Sequence, residues 1–185
     1  MSDALPKLTV WIGSLRQASW NRKLFEATAR LAEGAFRLEP FDLGPLPHFN
    51  ADLDAHLPRV VEALKADLYA AQGLLIVSPE YNYGFPALVK NGIEWCSRPP
   101  RVSPLKDKPV GLMGASISNT GTIRAQLQLR QVLLGTQSRV LPGPEVVIGR
   151  VQEKFDAEGV LTDEATERVI SAFLEAFGTW MRKPV

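Results

Sequence analysis

Short, mainly apolar runs alternate along the chain with segments whose apolar residues recur every three or four positions. Residues 7–12, 74–77 and 109–113 are of the first kind, and each is bounded by Gly, Pro or Ser within a few positions. Such runs read as strands buried on both faces. Residues 36–43 are a further strand candidate, and 140–141 with 145–148 form the last strand region. Leu24, Ala27 (or Thr28) and Leu31 stand at helix spacing, as do Val60, Val61, Leu64 and Leu68. Further helices are expected over residues 86–96, 122–134 and 162–181. Ser19 is placed to cap the first helix, and Pro86 suits the first helical position of the third. Thr162, followed by Asp163 and Glu164, resembles the capped start of the last helix. Residues 44–58 and 97–108 are rich in turn formers and read as surface connections. Strands and helices alternate throughout, which predicts an α/β fold with a mostly parallel sheet.

Composition narrows the setting. The 185 residues are 45% hydrophobic and 22% charged, enough for one domain over residues 1–185 with a sizeable core. A net charge of +1 points to neither nucleic acid nor an acidic membrane surface. The only cysteine is Cys96, so no internal disulfide forms and a reducing compartment is expected. No basic region with a long apolar stretch opens the chain, and no run approaches the roughly 20 apolar residues of a membrane helix. The expectation is a cytoplasmic protein.

The chemistry gathers in three loops, each between a strand and a helix. The first, Ser14 to Asn21, offers Ser14, Ser19, Asn21 and Arg16 where free N–H groups favour an anion. It lacks the glycines of a dinucleotide fingerprint or a P-loop. It reads either as a phosphate cradle or as a polar loop with a helix cap. The second, Pro79-Glu80-Tyr81-Asn82-Tyr83-Gly84, lies at the carboxyl end of a strand, where ligands bind in open α/β sheets. Its rings either face a flat conjugated ligand or close the core; two tyrosines flanking an asparagine beside Pro79 and Gly84 favour the ligand. The third, residues 114–121, nearly matches a nucleophile elbow at Ser116 but lacks its second glycine. His48 and His56 fall in or beside a surface loop, so no serine hydrolase triad is apparent. No pair has metal-ligand spacing. Cys96 reads as core, and Lys90 with Glu94 as a solvated pair one turn apart.

Taken together, Gly13-Ser-Leu-Arg16 with Ser19 and Asn21, and Pro79-Glu-Tyr-Asn-Tyr83 leading into Pro86, Lys90-Asn91 and Trp95, resemble the NAD(P)H-dependent FMN reductase family. This is the flavodoxin-like group that includes bacterial quinone, chromate and azo-dye reductases. Arg124-Ala-Gln126 and Leu129-Arg-Gln-Val-Leu133 also match its fourth helix, so the likeness covers nearly the whole chain. The resemblance implies a flavodoxin-like three-layer sandwich with a five-stranded parallel sheet. It implies bound FMN, with NADPH or NADH as a transient donor, small-molecule acceptors such as quinones, chromate or azo dyes, and a homodimer or homotetramer. It assigns the FMN phosphate to Ser14, Leu15, Arg16, Gln17, Ala18, Ser19, Trp20 and Asn21. It assigns the isoalloxazine to Pro79, Glu80, Tyr81, Asn82 and Tyr83, completed by Ser116. Many relatives carry glycines after that serine, where this chain has Ile117-Ser118-Asn119. The flavin would carry the hydride chemistry, with no dedicated catalytic side chain. The rival reading is a flavodoxin-like electron carrier serving a protein partner; such carriers are usually strongly acidic, and this chain is not.

Overall fold

Leu74, Leu75, Ile76 and Val77 are all fully buried, because the strand they form is covered by helices on both faces. In the computed structural model, which describes residues 4–184, this strand is β3 (Gly73–Val77). It lies among β1 (Lys7–Ile12), β2 (Arg37–Phe41) and β4 (Pro109–Ala115), with two short strands, β5 (Arg139–Val140) and β6 (Val146–Ile148). The helices are α1 (Trp20–Leu31), α2 (Arg59–Ala70), α3 (Ala87–Cys96), α4 (Ile123–Gly135) and α5 (Glu164–Met181).

All pairings between these strands are parallel, in the order β2-β1-β3-β4. The fifth position is shared. β5 pairs with Pro109 and Val110 at the start of β4, and β6 with Met113 to Ala115 at its end. The expected last strand is therefore two strands on one edge. Pro142 and Pro144 fall between them, and neither has an N–H for a continuous ladder.

The strand period of two divides the core. Leu75 and Val77 pack with Leu24, Ile170, Phe173 and Phe177 under α1 and α5. Leu74 and Ile76 pack with Trp11, Leu64, Leu68, Ile93, Leu129 and Leu133 under α2, α3 and α4. The result is the α/β fold with a parallel sheet that the pattern predicts, in the three-layer, flavodoxin-like form that the resemblance implies. No helix among the described residues is long and apolar enough to cross a membrane.

Among the boundaries that differ from the sequence reading, three have an identifiable local cause. Pro86 is the N-cap of α3, not its first helical residue; its ψ of 145° is extended. β4 runs on to Ala115, because Met113, Gly114 and Ala115 pair with β6. The cap of α5 is Asp163, not Thr162: its carboxylate accepts the Thr166 N–H at 2.8 Å and the Thr166 hydroxyl at 2.6 Å. Ser19 caps α1 as expected, accepting the Asn21 N–H.

The Asp163 cap is testable. The Thr166 hydroxyl, and then the Lys154 ammonium at 3.0 Å, hold its carboxyl down to about 2. A depressed folded-state pKa stabilises above the unfolded value, and that stability is lost as pH falls through the folded value. Asp163→Ala is expected to cost about 1 kcal/mol at neutral pH. In urea titrations the gap to wild type should be full above the ordinary aspartate range near pH 4 and close as pH falls to about 2. Equal midpoints at pH 7 would show that the cap contributes nothing.

Candidate functional site

β1, β3 and β4 lie side by side, so the loops that follow them meet at one edge of the sheet. After β1, the Gly13 N–H still donates to Val77 O at 2.9 Å, and the chain then turns out. Ser14 is buried, and its Oγ accepts the Arg16 N–H. Leu15, Arg16, Gln17 and Ala18 are exposed. The backbone N–H groups of Leu15, Gln17 and Ala18 have no partner among the described residues, and neither has the Arg16 guanidinium. A row of open donors and a cation at the start of α1 is what an anion requires.

Two first-loop residues do structural work here. The Asn21 side chain is 2% exposed and holds Ala115 twice. Its Oδ1 accepts the Ala115 N–H at 2.9 Å, and its Nδ2 donates to Ala115 O at 3.0 Å. This ties α1 to the end of β4 and engages the amide that the sequence suggested for a phosphate. Trp20 packs on Phe155 at 5.9 Å between ring centroids, with the Lys23 ammonium over its ring.

The second loop is a tight hairpin. Tyr81 N–H donates to Gly84 O at 2.8 Å, and Gly84 N–H donates back to Tyr81 O at 2.9 Å. Asn82 and Tyr83 between them have φ of +50° and +67°. Two left-handed residues make the mirror-image turn that hairpins favour, normally with glycine. For a tyrosine that conformation costs roughly 1–3 kcal/mol and persists only where the surroundings enforce it. Tyr81 and Tyr83 are 46% and 67% exposed. That excludes the alternative in which these rings close the core. The Tyr81 hydroxyl lies 3.3 Å from Ser14 Oγ, joining the first and second loops. Pro79 is buried beneath the turn. The Glu80 carboxylate faces α4, accepting the N–H groups of Arg124 and Ala125.

The third loop carries hydroxyls at Ser116, Ser118 and Thr120. Ser116 Oγ accepts the Ser118 N–H at 3.2 Å, and Ser118 Oγ lies 3.3 Å from Thr120 Oγ1. Its return into α4 needs Gly114. A Cβ there would stand 2.2 Å from Ser78 O and 2.4 Å from Thr122 Oγ1, so only glycine lets β3, β4 and the start of α4 approach so closely.

The second and third loops enclose a cleft of about 530 Å³, lined by Asn82, Tyr83, Ser116, Ser118, Thr120 and Arg124 among others. A larger hollow of about 900 Å³ lies at the other end of the sheet, near Pro6, Pro109, Leu174 and Met181. The three loops contribute nothing to it. Arg124, Ser118 and Thr120 are cleft residues that the sequence reading passed over. Arg124 was visible only as part of a helix motif, since its partner Glu80 lies 44 positions earlier.

The other candidates sit where the sequence put them. His48 and His56 are exposed, Lys90 pairs with Glu94, and no cluster of metal-ligating side chains occurs among the described residues. Cys96 is buried, and burial pushes its thiol pKa up, away from thiolate chemistry.

The sequence profile of the NADPH-dependent FMN reductases matches residues 6–153. The chain belongs to that family. It is 38% identical to an NAD(P)H-dependent FMN reductase of Pseudomonas aeruginosa, over 99% of this chain and 98% of that one. It is 36% identical to a 2-hydroxy-1,4-benzoquinone reductase of a Burkholderia species, over 95% and 96% of the two chains. Among solved structures, a flavoenzyme NAD(P)H:(acceptor) oxidoreductase from Paracoccus denitrificans superposes with a TM-score of 0.90 at 35% identity, covering 96% of this chain and 97% of that one.

The donor set here fits the family's cofactor. Open N–H groups and Arg16 suit a phosphate, and a cleft between exposed tyrosine and hydroxyl side chains suits a flat polar ring. The buried Asn21 clamp gives a measurement independent of any ligand. Asn21→Ala leaves both backbone groups of Ala115 unsatisfied, and is expected to destabilise the protein by about 1–3 kcal/mol. Urea denaturation of flavin-free protein should show this; an unchanged midpoint would mean that water replaces the clamp without loss.

Proposed function

We propose that the protein is an NAD(P)H-dependent FMN oxidoreductase that reduces quinones by two electrons, with residues 1–185 as its FMN-binding domain. One observation carries the reading: open anion donors and an exposed tyrosine turn meet at the carboxyl ends of adjacent strands β1 and β3. Leu15, Arg16, Gln17 and Ala18 hold the phosphate through backbone N–H groups and the guanidinium, with Ser14 and Ser19 shaping the loop. Pro79, Tyr81, Asn82, Tyr83 and Ser116 border the ring, and Asn21 and Glu80 brace the walls. FMN held there would supply the redox chemistry, two-electron transfer from NAD(P)H to the acceptor.

What the protein adds is alignment and access. The carboxylate that lines the cleft, Glu80, is engaged by α4 and is not set up as a dedicated acid or base. NAD(P)H and quinone then use the same open face in turn, and a ping-pong kinetic pattern follows. Chromate and azo dyes are further acceptors compatible with an open cleft. A net charge of +1 supports small-molecule acceptors over an acidic carrier docking to a protein, and a cytoplasmic setting goes with the reading.

A homodimer or homotetramer belongs to the same reading, although not through Ile93 and Trp95 of α3. Ile93 and Trp95 are buried within their own subunit. Leu127 and Leu134 on α4, 57% and 75% exposed, offer apolar contact instead. A monomer by light scattering at micromolar concentration would refute the assembly.

Purified protein is expected to be yellow and to release FMN, not FAD, on heating. With NADPH and a simple quinone it should turn over without a partner protein; flavin-loaded protein inactive with quinones would overturn the reading. Arg16→Ala should weaken FMN binding by roughly 10- to 150-fold, the loss of one charged hydrogen bond. Flavin-saturated activity should change far less, and unchanged affinity would place Arg16 outside the site. Tyr83→Phe should keep most of kcat/KM for both substrates, since the ring remains. A fall of about a hundredfold or more would assign the hydroxyl a proton-transfer role.

A further inference from the structure

α4 begins without a cap of its own. Thr122 occupies the N-cap position, yet its side chain makes no capping hydrogen bond. Its Oγ1 accepts from Gln126 Nε2 at 3.1 Å instead. The N–H groups that a local cap would satisfy are those two and three positions on, here Arg124 and Ala125. Both donate to Glu80 Oε2, at 3.0 and 3.1 Å. Glu80 Oε1 accepts from Arg124 Nη1 at 3.2 Å, and the Glu80 side chain is only 9% exposed. A carboxylate from the second loop thus caps a helix 44 residues later in the chain.

The same helix grips the strained turn. The Arg124 guanidinium sits 4.3 Å from the centroid of the Tyr83 ring, and Gln128 Nε2 donates to Tyr83 O at 3.1 Å. Next to Tyr83, a Cβ on Gly84 would come within 2.9 Å of Gln128 Oε1. α4 therefore meets the turn at Glu80, at the Tyr83 ring, at the Tyr83 carbonyl and at Gly84. These are the surroundings that hold Asn82 and Tyr83 in a left-handed conformation.

We infer that Glu80 is a positioning residue: by capping α4 from the second loop, it locks the Asn82-Tyr83 turn to the helix that follows the third loop, and so holds the two walls of the cleft in one geometry. Glu80 acts on the ligand through Tyr83 and α4, and its carboxylate does not read the ring itself. The inference rests on the proposed FMN site for its ligand readout, although the latch exists without ligand.

Two readouts test it, on wild type, Glu80→Ala and Glu80→Gln. The first is amide hydrogen exchange of flavin-free protein. Glu80→Ala should lose protection together at the Tyr81 and Gly84 amides and at the Arg124 and Ala125 amides. Glu80→Gln, which keeps one accepting oxygen but no charge, should lose less at both. Loosening of the α4 start with the turn unchanged would overturn the latch. The second readout is FMN titration. Glu80→Ala should bind FMN about tenfold or more weakly, in line with the loss of charged hydrogen bonds, with Glu80→Gln in between. A purely structural role would lower the urea midpoint and leave FMN affinity within twofold of wild type, which would overturn the inference. Wild type that fails to bind FMN would instead overturn the functional reading and, with it, the ligand half of this proposal; the exchange experiment still decides the latch.

Discussion

A parallel sheet buried on both faces can be built only by returning every strand through a connection that crosses over it. That constraint brings the carboxyl ends of β1, β3 and β4 to one edge, and everything chemical in this protein follows from it. Loops separated by tens of residues in sequence become neighbours there. Ser14 and Tyr81 touch across two loops, Asn21 clamps Ala115 across the sheet, and Glu80 caps α4. Each of these joins a group at one strand end to a group beside another.

The three ties also show how the protein keeps an open site rigid. The exposed parts of the loops are short of partners, as a ligand-binding surface must be. Their roots, by contrast, are satisfied by buried groups. Asn21 pairs both polar atoms with one backbone residue, and Glu80 pairs both oxygens with one helix start. Burying such groups unpaired would be costly, whereas paired they fix a single arrangement. The left-handed Tyr83 sits at the end of this bracing. Preorganisation of this kind is what a cofactor enzyme contributes when the cofactor carries the electron chemistry.

Family membership and the local physics point the same way but do different jobs. The likeness to flavin reductases names the cofactor and the class of acceptor. The geometry says which atoms of this chain are free to meet them. The first loop offers open N–H groups and Arg16, while Asn21 in the same loop is engaged elsewhere. The second loop offers exposed rings and backbone, while its carboxylate is turned to α4. In the third loop, Ser116, Ser118 and Thr120 give the cleft a wall of hydroxyls.

From sequence alone, the elements and their class were legible because they depend on local pattern. The unbroken run Leu74 to Val77 had to be covered on both faces, and Leu64 with Leu68 had to lie on one helical stripe. Ser19 as a cap and the exposed loops after β1 and β3 were legible for the same reason, since propensity and capping act over a few residues. Other features needed the tertiary structure. The prolines that split the last strand stand in the sequence, but the pairing of both pieces with β4 was decided by the tertiary structure. The roles of Asn21 and Glu80 depend on partners 94 and 44 positions away. Nothing in a side chain's own neighbourhood says whether its oxygens will face a ligand or a distant backbone N–H. That was decided by packing, which sets the strand order and brings those orphan groups within hydrogen-bonding reach.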